Sequence, residues 1–168
     1  IGVDPKAEAR GSTIPRSVHQ GQWLDAKDRG VVIGGGLAKA LNARLGSSVT
    51  LLATTSDGTL NAIDATVRGI ADISIKELSE RYLALPLPLA QDLLSAPDTV
   101  SRISVILKEP AREPEAAARL VEQLKQSGVT LGVKIWRELA VFYQQVRMLY
   151  LAIFGFMGWS LWRMGGLQ

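Results

Sequence analysis

The sequence predicts an α+β fold that ends in a helix leading toward a membrane. Three observations carry this expectation. Alternating apolar residues flank an Asp57-Gly58 turn, the pattern of a β-hairpin. A strand–helix–strand pattern runs from Ser101 to Ile135. From Trp136 onward the apolar period becomes helical and continues into an uncharged aromatic run. The length, 168 residues, suits one domain or one domain carrying a small inserted lobe.

Taken in order, Ile1 to Arg16 reads as a short strand or extended lead-in, with turns at Asp4-Pro5 and Ile14-Pro15. The first residue is Ile1 and not Met, as expected of a piece of a longer or processed chain. Val31, Val32 and Ile33 make a brief apolar strand that Gly34-Gly35-Gly36 stops. Leu37, Ala40, Leu41 and Leu45 then fall on one helical face, with Gly46 as the stop. Val49 to Thr55 and Leu60 to Ile70 form the hairpin, and Ile63, Ala65 and Val67 mark its inner face. Tyr82 to Leu87 predicts a further strand. Pro88 opens a helix with Leu89, Leu93 and Leu94 on its apolar side, and Pro97 ends it.

Ser101 to Lys108 alternates, with Ile103, Val105 and Leu107 inward. Pro114 starts the clearest helix, in which Ala117, Leu120, Val121 and Leu124 share a face and Glu115 sits at the favourable N-terminal end. Gly128 stops it, and Val129, Leu131, Val133 and Ile135 alternate as a strand. Together these make a βαβ unit, whose crossover is right-handed if its strands are parallel in one sheet. Leu139, Phe142, Tyr143, Val146, Leu149 and Tyr150 then form the stripe of one continuous helix from about Arg137 to Phe154 or beyond. Its continuation, residues 148–162, carries no charge. As a helix it covers roughly 22 Å at about 1.5 Å per residue, short of the about 20 residues that span a bilayer. Tyr150, Trp159 and Trp162 are residue types found at lipid headgroups, so a truncated or interfacial membrane helix is expected, with packing on the core as the alternative.

Composition narrows the chemistry. There is no Cys and a single His, which excludes a disulfide scaffold, thiol catalysis and a multi-histidine metal centre. The net charge is +3, and basic residues alternate with acids, so no stripe for nucleic acid forms. The Gly34-Gly36 segment resembles a dinucleotide fingerprint, but the third glycine position falls on Lys39. No Gly-Lys-Ser/Thr follows to make a phosphate loop. His19 beside Ser12 or Ser17 lacks spacing for an orienting carboxylate. Asp57-Gly58 lacks the ladder of a calcium loop. Glu77, Glu80 and Arg81 read as a solvated face. No catalytic residue, cofactor or metal ligand is expected.

The order of weak motifs resembles the extracytoplasmic core domain of FtsX-like ABC-transporter permeases, the group containing MacB and the LolC/LolE lipoprotein-release subunits. The residues that carry it are Gly2-Val3-Asp4-Pro5 with Glu8, Val32-Ile33-Gly34 with Leu37-Ala38, and Leu45-Gly46 before Val49. Val67-Arg68-Gly69-Ile70, Leu85-Pro86-Leu87 with Ala90-Gln91 and Leu94, and Trp136 with Glu138-Leu139 complete it. Two features depart from the pattern. Ser79 stands where such permeases often carry Asp, and residues 159–168 differ from the family's long aliphatic membrane helix.

The resemblance implies a two-lobed α+β periplasmic domain. Residues 1–16 would lead into a porter-like lobe, 17–98 form a small inserted α+β lobe, 99–135 supply the second, βαβ half of the porter-like lobe, and 136–168 form a stalk helix and the start of a membrane helix. It implies a non-enzymatic permease subunit of the bacterial inner membrane, with this domain on the periplasmic side. Expected partners are a cytoplasmic ATP-binding-cassette subunit, a second permease copy or paralogue, membrane lipid, and a periplasmic protein or lipoprotein substrate. Trp136, Leu139, Phe142 and Tyr143 would form the mechanical joint between stalk and lobe. Two other readings are a small nucleotide-binding enzyme using Gly34-Gly36 and a membrane-tethered binding module without an ATPase.

Overall fold

The computed structural model describes residues 1–128 and 131–135. The chain divides into two compact units, Ile1–Ser104 and Val105–Gln168. The first contains a mixed six-stranded sheet. Its strands are β1 (Gly2–Val3), β2 (Val18–Gly21), β3 (Gly30–Gly34), β4 (Ser48–Thr54), β5 (Leu60–Ala71) and β6 (Leu83–Pro86). Its helices are α1 (Pro5–Gly11), α2 (Gly35–Ala40), α3 (Lys76–Ser79) and α4 (Leu87–Leu94). The strands lie in the order β1-β6-β3-β5-β2, with β4 paired to β5. The β1–β6 and β3–β5 pairs are parallel; the β3–β6, β2–β5 and β4–β5 pairs are antiparallel.

β3 is the centre of the unit. It pairs on both sides, and Val31, Val32 and Ile33 are fully buried. Side chains alternate across a strand, so Val31 and Ile33 enter one core and Val32 the other. Burial on both faces is why this strand reads as an unbroken apolar run and not as an alternation. On one face Val31, Ile33, Ala65, Val67 and Ile70 pack with Ala38 of α2 and Leu89 and Ala90 of α4. On the other, Val32, Ala71, Tyr82, Ala84 and Leu24 are joined by Val3, Ile14, Val18, Trp23 and Ile73.

The hairpin forms as expected. β4 and β5 pair from Ser48↔Thr66 to Thr54↔Leu60, and Gly58 takes the positive φ of the turn, +85°. Its first half presents Ile63, Ala65 and Val67 inward. The parity then changes. Val31 pairs with Val67 but Val32 pairs with Gly69, so Arg68 is an extra residue in β5. This bulge returns Ile70 to the same core as Val67, although they are three residues apart.

Several expectations are corrected. Residues 5–11 form a helix and not an extended lead-in. Asp4 is its N-cap, accepting from the amides of Lys6 and Ala7 at 2.9 and 3.0 Å, and Pro5 occupies its first turn. α2 ends at Ala40, because Asn42 takes a left-handed φ of 50°. The predicted apolar face through Leu45 therefore does not exist: Leu41 is 57% exposed and Leu45 also faces outward. β2 was absent from the predicted elements. α4 buries Leu89 and Leu93 as predicted but leaves Leu94 exposed, since Ser95 ends the helix in the left-handed region.

The second unit contains α5 (Glu113–Gln126), preceded by a 3₁₀ turn at Pro110–Arg112. Glu113 and Glu115 lie in the first turn and Gly128 follows the end at φ +68°, so this helix follows its sequence signals. Neither flanking strand forms among the described residues. Residues 101–107 and 131–135 contain no strand, and Ile103 and Val105 are 73% and 67% exposed. Alternation makes a strand only where a ladder is available, and none pairs with either segment among the described residues. The α+β class stands; the βαβ unit is absent from the described residues. The predicted stalk helix, including Trp136, Leu139, Phe142 and Tyr143, lies outside the described residues, as does the uncharged run at 148–162. Among the described residues no helix is long and apolar enough to cross a membrane.

Candidate functional site

Two places in the first unit could carry function: the glycine segment after β3, and the bulge of β5. The glycine segment turns the strand into α2 beside α3. A Cβ at Gly34 would overlap the Ser79 carbonyl oxygen and lie 2.9 Å from its carbon and 3.0 Å from Ser79 Cα. One at Gly36 would lie 2.9 Å from the Glu80 nitrogen. The Gly36 amide donates to Ser79 Oγ at 2.9 Å, and the Gly34 amide to the Tyr82 carbonyl at 3.0 Å. These glycines admit the chain's own backbone. The space that a phosphate would need over the amides of Gly34 and Gly36 is occupied by Ser79 and Glu80, which counts against the nucleotide-binding reading. The Ser79 position, noted from its departure from the permease pattern, serves here as a hydrogen-bond acceptor for the start of α2.

The bulge places Arg68 outside the ladder alternation, at the edge of the Gln22–Arg29 loop. Its guanidinium pairs with the Asp28 carboxylate through Nη1. It donates from Nε to the Trp23 carbonyl at 3.1 Å and from Nη2 to Gln22 Oε1 at 3.2 Å. Gly69 allows the close approach: a Cβ there would lie 2.5 Å from the Gln22 carbonyl oxygen. Trp23 in turn donates from Nε1 to the Pro5 carbonyl at 3.1 Å. The far end of the hairpin is tied down separately. Asn61 Nδ2 donates to the carbonyls of Asp92 and Leu93 at 3.1 and 3.0 Å, satisfying the end of α4.

The other residues weighed for chemistry sit in structural or exposed positions. Ser17 donates to the Ile14 carbonyl at 2.8 Å, and Ser12 Oγ accepts from the Ile14 amide at 3.2 Å. His19 is the extra residue of a second bulge, in β2, and is exposed. Thr55 and Thr59 bind Asp57 within the hairpin turn, which holds that carboxylate below the usual range. Glu77, Glu80 and Arg81 are exposed, as expected. Among the described residues no group of His, Asp and Glu could hold a metal ion. The Val-Arg-Gly-Ile segment carries the family resemblance without assigning Arg68 a role. The signal was the broken alternation, with Val67 and Ile70 both apolar around an Arg-Gly pair.

Comparison with known proteins gives this arrangement a context. The lipoprotein-releasing system transmembrane protein LolE of Haemophilus influenzae is 31% identical over 115 residues, which cover 65% of this chain and 28% of that protein. The chain thus spans less than a third of the length of this relative. The MacB-like periplasmic core domain family matches residues 1–123, the stretch that holds the sheet, the glycine segment, the Arg68 bulge and most of α5. The chain therefore belongs to the MacB-like periplasmic core domain family, and it is a periplasmic domain of an ABC-transporter permease.

Proposed function

We propose that this domain transmits ATP-driven motion across the inner membrane, so that the permease exports or releases a substrate or activates a periplasmic partner. The observation that carries the reading is the family match over residues 1–123. The name of the relative, a lipoprotein-releasing transmembrane protein, supports lipoprotein release within that range. The partners are a cytoplasmic ATP-binding-cassette subunit, which holds the nucleotide, and a second permease copy or paralogue. The subunit works without chemistry of its own. Residues 17–98 act as the inserted lobe and 99–135 as part of the porter-like lobe. Residues 136–168 form the stalk and the approach to membrane lipid.

In this reading the helix beginning near Arg137 is a stiff lever. No Pro interrupts it, and its stripe of Leu139, Phe142 and Tyr143 sits where lever meets lobe, with Trp136 at the junction. An uninterrupted helix transmits displacement with little slack, since kinks have identifiable causes and Pro is the commonest. Replacing Trp136 with Ala in the complete transporter removes an aromatic anchor whose burial would be worth about 3–5 kcal/mol. Transport should fall while ATP hydrolysis by the partner subunit is partly retained. Normal transport in that variant would refute the coupling role. Hydrolysis that never depended on this subunit would instead favour a membrane-tethered binding module.

A further inference from the structure

The contacts around the β5 bulge form a continuous path from the sheet to the N-terminal helix. Arg68 is the inserted residue of β5, and its side chain reaches three acceptors of one loop: Asp28, the Trp23 carbonyl and Gln22. The loop has little regular hydrogen bonding of its own. Asp28 N donates to the Asp25 carbonyl at 3.3 Å, and Gln22 N donates to the Arg68 carbonyl at 3.1 Å. Trp23 leaves this loop and is half-buried among the residues on the second face of the sheet. Its indole nitrogen donates to the carbonyl of Pro5, the buried first residue of α1. The hydrogen bonds within α1 are local: its Asp4 cap, and helix bonds such as Glu8 N to Asp4 O and Ser12 N to Glu8 O, both 2.9 Å, while β1 just before it is paired with β6. The Trp23 bond is a side-chain link between the helix start and the rest of the sheet unit.

We propose that Arg68 is a positioning residue: it fixes the Gln22–Arg29 loop and, through Trp23, seats α1 on the sheet. The inference goes beyond the transport reading and does not depend on it. Arginine suits the task because one planar fork serves several acceptors at fixed angles, which a lysine ammonium cannot reproduce. The bulge supplies the direction, since an in-register residue at this place would point along the ladder alternation. The effect on α1 is therefore indirect, and it has a readout that loop disorder alone would not move.

Hydrogen exchange of the full chain tests it, followed at the amides of Glu8 and Ser12 for α1, of Asp28 for the loop, and of β4 for the hairpin. In Arg68→Met, exchange at Asp28, Glu8 and Ser12 should accelerate on the order of tenfold, as for loss of a charged hydrogen-bond anchor, while β4 is unchanged. Arg68→Lys should recover protection at Asp28 and leave α1 fast. Trp23→Phe keeps an aromatic ring, smaller than the indole, against the second core and removes the donor, so it should accelerate Glu8 and Ser12 and spare Asp28. Unchanged α1 exchange in Arg68→Met with a loosened loop would overturn the proposal. Should Arg68→Met loosen β4 as well, Trp23→Phe decides: fast α1 amides support the link, and wild-type amides overturn it.

Discussion

Adjacent glycines at the junction of β3 and α2 should respond to the same substitution with opposite signs. Gly34→Ala places a methyl group against the Ser79 carbonyl, 2.9 Å from its carbon and 3.0 Å from Ser79 Cα. These are backbone atoms, so no side-chain rotation relieves the overlap. Gly34 cannot retreat either, because its amide binds the Tyr82 carbonyl and its strand is paired on both sides. Overpacking of a tight interior costs about 1–3 kcal/mol, and a site where both partners are backbone belongs at the upper end, about 3 kcal/mol. Gly35→Ala meets the Ala71 carbonyl oxygen at 3.7 Å, an ordinary contact. Gly35 is the first residue of α2 and has no positive φ. Removing its backbone freedom should therefore stabilise by about 0.5 kcal/mol, the low end for Gly to Ala in a helix. Urea unfolding followed by circular dichroism gives both values from the midpoints at constant slope. A Gly34→Ala variant within about 0.5 kcal/mol of the parent, or both variants destabilised alike, would refute the view that this glycine admits α3.

Two further substitutions test single groups through pH. Asp4 accepts from the amides of Ala7 and Lys6, and these bonds hold its carboxyl below the usual range. A lowered folded-state pKa stabilises above the unfolded value and is lost as pH falls through the folded one. Asp4→Ala should cost about 1 kcal/mol at neutral pH, and urea midpoints should show that gap narrowing below about pH 4. Tyr82 is buried, its hydroxyl has no partner among the described residues, and burial, then the charge of Glu8, push its pKa up to about 12. The folded state thus favours the neutral phenol, and this contribution is complete below about pH 10 and disappears as pH rises toward the folded value. Tyr82→Phe should stabilise by about 1 kcal/mol at pH 8 by removing an unsatisfied hydroxyl. Thermal unfolding should also show less destabilisation of this variant than of the parent between pH 8 and 11.

Legibility of the fold followed the range of the interactions involved. The hairpin, β3, β6, α4 and α5 were readable because turn residues, apolar runs and caps act within a few positions. α1 carries an equally local signal: Asp4 before Pro5 is an N-cap pair as well as a turn pair. The false extension of α2 arose from counting Leu41 and Leu45 into a helical face. Asn42 tolerates the left-handed conformation that ends the helix, and Leu41 and Leu45 stay exposed. The site was less legible. Gly34 and Gly36 look alike whether they face a phosphate or a neighbouring helix, and only the position of Ser79, forty-odd residues on, distinguishes the two.

The contrast between β3 and residues 101–107 shows what an apolar pattern measures. Ser101 to Leu107 alternates better than Val31 to Ile33, yet β3 is the most buried strand and the other segment has no strand at all. α5 follows that segment in sequence and forms fully, although none of its residues is buried. A helix closes its hydrogen bonds over four residues and needs no neighbour to satisfy its interior amides. A strand leaves every amide and carbonyl to another chain segment, so its residues express only a capacity to pair. Pairing partners leave a different trace, visible at Arg68. Around it the two-residue period slips by one, because β5 must keep Val67 and Ile70 in one core while passing from its β4 partner to β2. A slipped period with an Arg-Gly pair at the slip is thus a more specific sign of tertiary context than the regular alternation on either side, and it marks the position where the sheet hands its order to a loop.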